Sequence, residues 1–166
     1  MDFITGLPTS TKQNDAIMVV VDKLRKSAHF IPIKSTCKGI DITNIFMNEI
    51  SILHGMIREI IYYRDTKFTS IFWKSLMVGF ETKLLFSTAY HPHTYGQMER
   101  VNQILEYMLR MHVMHQPKKW EDYLPLVEFA YNNGYQESLK MSPFEVLYGR
   151  HCNTPVSSTN PVKRIS

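Results

Sequence analysis

The run "REIIYYRDTKFTS", residues 58–70, ends an apolar segment in two tyrosines and passes at once into Arg-Asp-Thr-Lys-Phe. A buried strand that emerges at a polar site often carries a carboxylate at its tip, and here a tyrosine stands there. Two other positions carry acids that such a tip could meet: Asp2 on the first apolar stretch and Glu99 at the start of a long helical pattern. Carboxylates brought within a few ångström repel one another unless cations lie between them. Ligand sets made only of oxygen select hard divalent ions such as Mg²⁺ or Mn²⁺. A pair of these ions about 4 Å apart suits in-line displacement at phosphorus, one activating the attacking oxygen and the other stabilising the leaving oxygen. A plainer reading stands beside this one: Asp2 as a solvated terminus and Glu99 as a first-turn acid favoured by the helix dipole.

The elements that must position these residues follow from hydrophobic periodicity. Strands are expected at 2–8, 16–24, 28–35, 58–63 and 83–90, with Pro32 marking the third as an edge strand. Helices are expected at 39–54, 68–80, 96–115, 120–133 and 141–149. The first places Ile42, Ile45, Phe46, Ile50 and Leu53 on one stripe and is stopped by Gly55. The second is capped by Thr69 or Ser70. The 96–115 helix turns Val101, Ile104, Leu105, Met108 and Met111 inward, and the last has Ser142 as N-cap with Pro143 at N1. Three strands as a meander, then two separated by helices, predict an α/β fold. Its sheet is mixed and five-stranded, with helices on both faces and the fourth strand parallel beside the first. Residues 1–152 form one domain, and 153–166 read as a loose polar tail.

Composition narrows the classes. Hydrophobic residues make up 44% and aromatics 12%, enough for a sizeable core, and the net charge of +4 permits a polyanionic partner without requiring one. No apolar run spans a bilayer and no signal peptide is present. Two cysteines, Cys37 and Cys152, with no pairing motif fit a reduced, intracellular setting.

The segments "MDFITGLP", "AIMVVVDKLRKSAHFIPIK", "RDTKFTSIFWKSL", "TKLLFSTAYHPHTYGQMERVNQILEYMLR" and "WEDYLPLVEFAYNN…SPFEVLYGR" together resemble the integrase core of Ty3/gypsy-type LTR retrotransposons, from residue 1 to about 155. The resemblance implies an RNase H-like fold and a D,D-35-E triad holding two Mg²⁺ or Mn²⁺ ions. It implies DNA integration as the activity: a polynucleotidyl transferase that cuts element ends and joins them to target DNA. The partners it implies are those DNAs and other copies of the chain, in a nuclear setting when functional, with no membrane and no small-molecule substrate. By position, the first carboxylate falls on Asp2 and the glutamate on Glu99, so these two are the metal ligands. The second aspartate falls on Tyr63, with 35 residues between positions 63 and 99. Asp65 matches another aspartate of the family stretch and lies about 7 Å further along a strand.

The exchange at Tyr63 removes an anion. A phenol with a pKa near 10 is neutral at pH 7 and ligates Mg²⁺ poorly. Tyr62, Thr66 and Tyr95 also depart from the family pattern. Against the family pattern, the first strand is expected to lack its leading half, and residues 1–166 are expected to carry neither the zinc-binding nor the DNA-binding module that flanks family cores. These departures point to an inactive integrase core. The alternative is a non-catalytic remnant of a degraded element, or a fragment that binds nucleic acid or protein. Arg100 and Gln103, beside Glu99, are the DNA-contact candidates, and Tyr95 either stacks on a base or is a surface aromatic. Lys23, Arg25 and Lys26 form one basic turn and Lys118 and Lys119 another; either touches phosphates or is simply solvated. His91, His93, His112 and His115 read as loop and helix-surface residues. Met108, Met111 and Met114 read as core and rim filler.

Overall fold

The computed structural model describes residues 1–55, 57–62, 71–86 and 92–152, without the side chains at 71, 72, 75, 76, 86 and 92–95. Three short strands open the chain: β1 (Asp2–Ile4), β2 (Ala16–Val21) and β3 (Ala28–Ile33). They pair antiparallel, Asp2 opposite Val19 and Val19 opposite Phe30. β4 (Glu59–Tyr62) and β5 (Lys83–Phe86) pair parallel as a second sheet. The expected single five-stranded sheet is thus two ladders among the described residues. β1 is only three residues long, and it is joined to β4 by one bond, from the Met1 nitrogen to the Ile61 carbonyl at 2.7 Å.

β2 explains why both faces are covered. Every residue from Ala16 to Val20 is buried, and alternation sends successive side chains to opposite sides. Ala16, Met18 and Val20 join a core with Phe46, Ile50 and Trp73, from α1 (Gly39–Phe46), the π-helical segment Met47–Ser51 and α3 (Ile71–Gly79). Ile17 and Val19 join a second core with Leu105 of α4 (Pro92–Val113) and Leu124 of α5 (Trp120–Asn133). Helices therefore lie on both faces, as the pattern implied. No helix among the described residues is long and apolar enough to cross a membrane.

The π-helical segment was not legible beforehand. It runs into the single turn α2 (Ile52–His54), where Gly55 ends the helix with φ +75°. Ile42, Phe46 and Ile50 are buried, but Leu53 is 65% exposed. The wide turn shifts everything beyond it by roughly one residue, about 100° around the axis, and so carries Leu53 off the stripe. On α4 the buried positions are Met98, Val101, Leu105 and Leu109, while Met111, expected inside, is 62% exposed. Met114 is exposed too, as the helix runs past the end of the core.

The outer edge of β3 is closed by side chains of α5. Ala28 N–H donates to Asn132 Oδ1 at 2.8 Å, and Asn132 Nδ2 returns a bond to the Ala28 carbonyl at 2.8 Å. Phe30 N–H donates to Glu128 Oε2 at 2.8 Å. The next outward position is Pro32, which has no N–H to offer. Thus the edge assigned from Pro32 is real and has no free donor at 28, 30 or 32. An Asn132→Leu substitution strands two buried backbone groups, and a loss of about 1–3 kcal/mol in urea unfolding is expected.

Glu128 also accepts from His29 Nδ1 at 3.0 Å, and His29 Nε2 lies 2.8 Å from His54 Nε2. Only one proton fits between those two nitrogens. The His54 pKa is lowered, first by burial, then by the charges of His29 and Arg25, with Asp22 opposing. The unfolded chain therefore takes up a proton at His54 before the folded one does. Stability at this residue is intact above the ordinary imidazole pKa of about 6.5 and is lost as pH falls below it. His54→Gln should flatten the decline in thermal midpoint between about pH 7.5 and pH 5 relative to the unsubstituted chain. An unchanged slope would remove His54 as the cause.

Candidate active site

Asp2 is the first residue of β1, at the end of the sheet where β2 runs out toward Asp22. It is half-buried, and both carboxylate oxygens have donors. Phe3 N–H donates to Oδ1 at 2.9 Å, and Asn102 Nδ2 of α4 donates to Oδ2 at 2.8 Å. Asn102 is a site residue that no motif points to. Its amide ties α4 to the first strand, and its Oδ1 is buried with no hydrogen-bond partner among the described residues. An Asn three residues after a candidate Glu, on the same helical face, was the available signal.

Glu99 stands one turn before Asn102 and is exposed. It does not lie in a first helical turn as expected, because α4 begins at Pro92, about two turns earlier. Proline at the head of a helix is pre-set for that start and gives up an N–H that would be unbonded anyway. The dipole explanation for Glu99 lapses, since that effect fades beyond the first turn. Glu99, Arg100 and Gln103 line one shallow depression with Gly96 and Ile104. The candidate acid and the two DNA-contact candidates therefore share one face of α4.

Tyr63 follows the last residue of β4 and lies outside the described residues, as do Asp65, Thr66 and His91. Tyr95 falls within α4, and its side chain, like that of His93, is outside the description. His112 is exposed and stacks on Tyr123, with ring centroids 5.5 Å apart and planes 9° apart. Among the described residues no group of three or more His, Cys, Asp or Glu is placed to hold a metal ion. Two divalent ions carry four positive charges. Against them stand Asp2, already holding two N–H donors, and Glu99. Among the described residues that donor set falls short of a two-ion centre.

No protein-family model matches the chain. The Tf2-3 polyprotein of Schizosaccharomyces pombe is 36% identical over 148 residues, which is 89% of this chain and 11% of that polyprotein. The Tf2-12 polyprotein of the same yeast matches to the same extent. This chain is homologous to the polyproteins of Ty3/gypsy-type retrotransposons. It spans about a tenth of their length. Among solved structures, the HTLV-2 integrase catalytic core domain in complex with magnesium superposes with a TM-score of 0.67 at 15% identity, covering 87% of this chain and 93% of that one. The catalytic core of BIV integrase gives 0.65 at 14%, covering 87% and 91%. A simian T-cell lymphotropic virus intasome chain, solved with the B56 gamma regulatory subunit of PP2A, gives 0.71 at 14%, covering 92% and 55%. At those identities the likeness establishes the fold, an RNase H-like integrase core. The retrotransposon polyprotein segment folded here is therefore an integrase core-like domain.

Proposed function

We propose that this domain is the integrase core of its retroelement polyprotein, that its substrate is DNA, and that it is inactive in strand transfer as it stands because Tyr63 occupies the second carboxylate position. The observation that carries the reading is the Asn102 to Asp2 bond. It holds the helical turn bearing Glu99 against the strand bearing Asp2, so two acids of the motif are drawn toward one end of the sheet. The Met1 to Ile61 bond supports a sheet that continues from β1 into β4, which would bring the position after Tyr62 to the same end.

The bound magnesium of the HTLV-2 core supports a hard divalent ion as part of the inherited chemistry. When bound, such ions activate the attacking oxygen and stabilise the leaving one. Asp2 and Glu99 are the ligands this chain retains, and with a neutral ring at the third position it holds the ions weakly. Arg100 and Gln103 contact the DNA backbone beside Glu99, and Tyr95 lies on the approach to it. The trimeric and dimeric forms of the HTLV-2 core support self-association as the working state. The setting is the nucleus. A strand-transfer assay with Mn²⁺, run on the unsubstituted domain and on Tyr63→Asp, tests the reading. Joining of DNA ends by the unsubstituted domain would refute inactivity.

A further inference from the structure

The chain has two basic clusters of similar appearance in sequence, and the fold separates them. The turn Asp22–Ser27 leaves β2 at the end of the sheet where Asp2 lies. Lys118 and Lys119 lie at the opposite end, beside the loop that enters β2. There Thr11 N–H donates to the Lys118 carbonyl, and the Trp120 indole donates to the Pro8 carbonyl.

Within the turn the one acid is already committed. Asp22 Oδ1 accepts from the N–H groups of Leu24 and Arg25 at 2.7 and 2.9 Å, and Oδ2 faces Arg25 at 3.8 Å. Lys23 and Arg25 are exposed. Lys26 adopts a left-handed backbone, φ +61°, uncommon outside glycine. Its Nζ donates to Gln97 Oε1 of α4 at 2.9 Å. Gln97 is a neutral partner, so the ammonium keeps its charge and two further N–H donors. It sits two residues before Glu99 and three before Arg100.

We propose that Lys23, Arg25 and Lys26 form a phosphate-binding platform for duplex DNA, docked through Gln97 onto α4 one turn before Arg100, around the helix from the face that carries Glu99 and Gln103. Asp2 and Glu99 repel a phosphate backbone. A turn with three cations and one internally bonded acid, fixed at the same end of the sheet as Asp2, offsets that repulsion where the DNA must approach. The pKa of Lys26 is lowered, first by burial and also by Lys23, with Asp22 opposing. The inference rests on the integrase reading for its ligand.

Fluorescence anisotropy with a labelled duplex DNA of arbitrary sequence, titrated over a range of salt, tests it. Each lost phosphate contact lowers the slope of log K against log salt by about 0.9. Lys23→Gln/Arg25→Gln alters two exposed side chains, of which Arg25 faces Asp22 within the turn, and should lower the slope by roughly 2. Adding Lys26→Gln should lower it by roughly 3. Lys118→Gln/Lys119→Gln should change it by less than about 1. Circular dichroism and the thermal midpoint confirm that each variant is folded. If the unsubstituted domain binds and the turn variants keep its slope, or the 118/119 variant loses as much, the platform is refuted while the integrase reading stands. If the unsubstituted domain shows no salt-dependent binding, both fall.

Discussion

Replacing Tyr63 by aspartate is expected to raise strand transfer by at least about 10²-fold over the unsubstituted domain, the scale on which single key catalytic groups act. The neutral ring supplies no anion, whereas an aspartate at that position gives the centre a third negative charge against the four of an ion pair. The gain should also be visible without catalysis. A ligand that binds only the folded state stabilises it by about 2.7 kcal/mol at a hundred times its dissociation constant. Tyr63→Asp should therefore melt at a higher temperature in millimolar MnCl₂, and the unsubstituted domain should not. Adding Asp2→Asn to Tyr63→Asp should abolish the shift. A manganese shift without joined product would place a second defect elsewhere in the domain. No shift in Tyr63→Asp would refute the assignment of position 63 to the metal centre.

The largest expected loss of stability is at Trp120. It is 1% exposed and packs among Leu105, Leu124 and Val127, and its indole Nε1 donates to the Pro8 carbonyl at 2.7 Å. The same helical start holds the loop between β1 and β2. Ser10 Oγ donates to the buried Glu121 Oε2 at 2.6 Å, and Asn14 Nδ2 to the same oxygen at 3.1 Å. Trp120→Ala empties a large core volume at a cost of about 3–5 kcal/mol, and the stranded Pro8 carbonyl adds about 1–3. Domains of this size are stable by only about 5–15 kcal/mol. Urea unfolding should show a midpoint near zero or no folded baseline at all. Trp120→Phe keeps most of the volume and isolates the hydrogen bond. A loss below about 1 kcal/mol in Trp120→Ala would show that the loop and α5 are held by something else.

What the sequence disclosed was governed by local rules. The α5 helix was legible to the residue, because Pro117 and Asn133-Gly134 bracket one apolar period. The cap of α6 (Pro143–Tyr148) was legible too, since Ser142 and Glu145 form the reciprocal bonds expected of Ser-x-x-Glu. Spacing and family likeness singled out the acids at 2 and 99 as candidates. Asn102 was not singled out, because its partner lies a hundred residues away. The His29, Glu128 and His54 contacts were hidden for the same reason. The start of α4 was misplaced because His91-Pro92-His93 reads as loop, although a proline opens helices as readily as it ends them. Nor could sequence separate two basic clusters that sit at opposite ends of one sheet.

β2 carries one more consequence. A strand with one wet face is indexed by polarity, since a slip of one residue would drown its apolar set. Ala16 to Val20 have no wet face, so solvent cannot tell the correct pairing from its neighbour. The indexing falls to two aspartates that bracket the strand. At its entrance, Asp15 Oδ1 and Oδ2 grip the backbone and hydroxyl of Ser35. At its exit, Asp22 N–H closes on the Ser27 carbonyl while its carboxylate folds the turn. They act as end-stops on a rail that is greased on both sides.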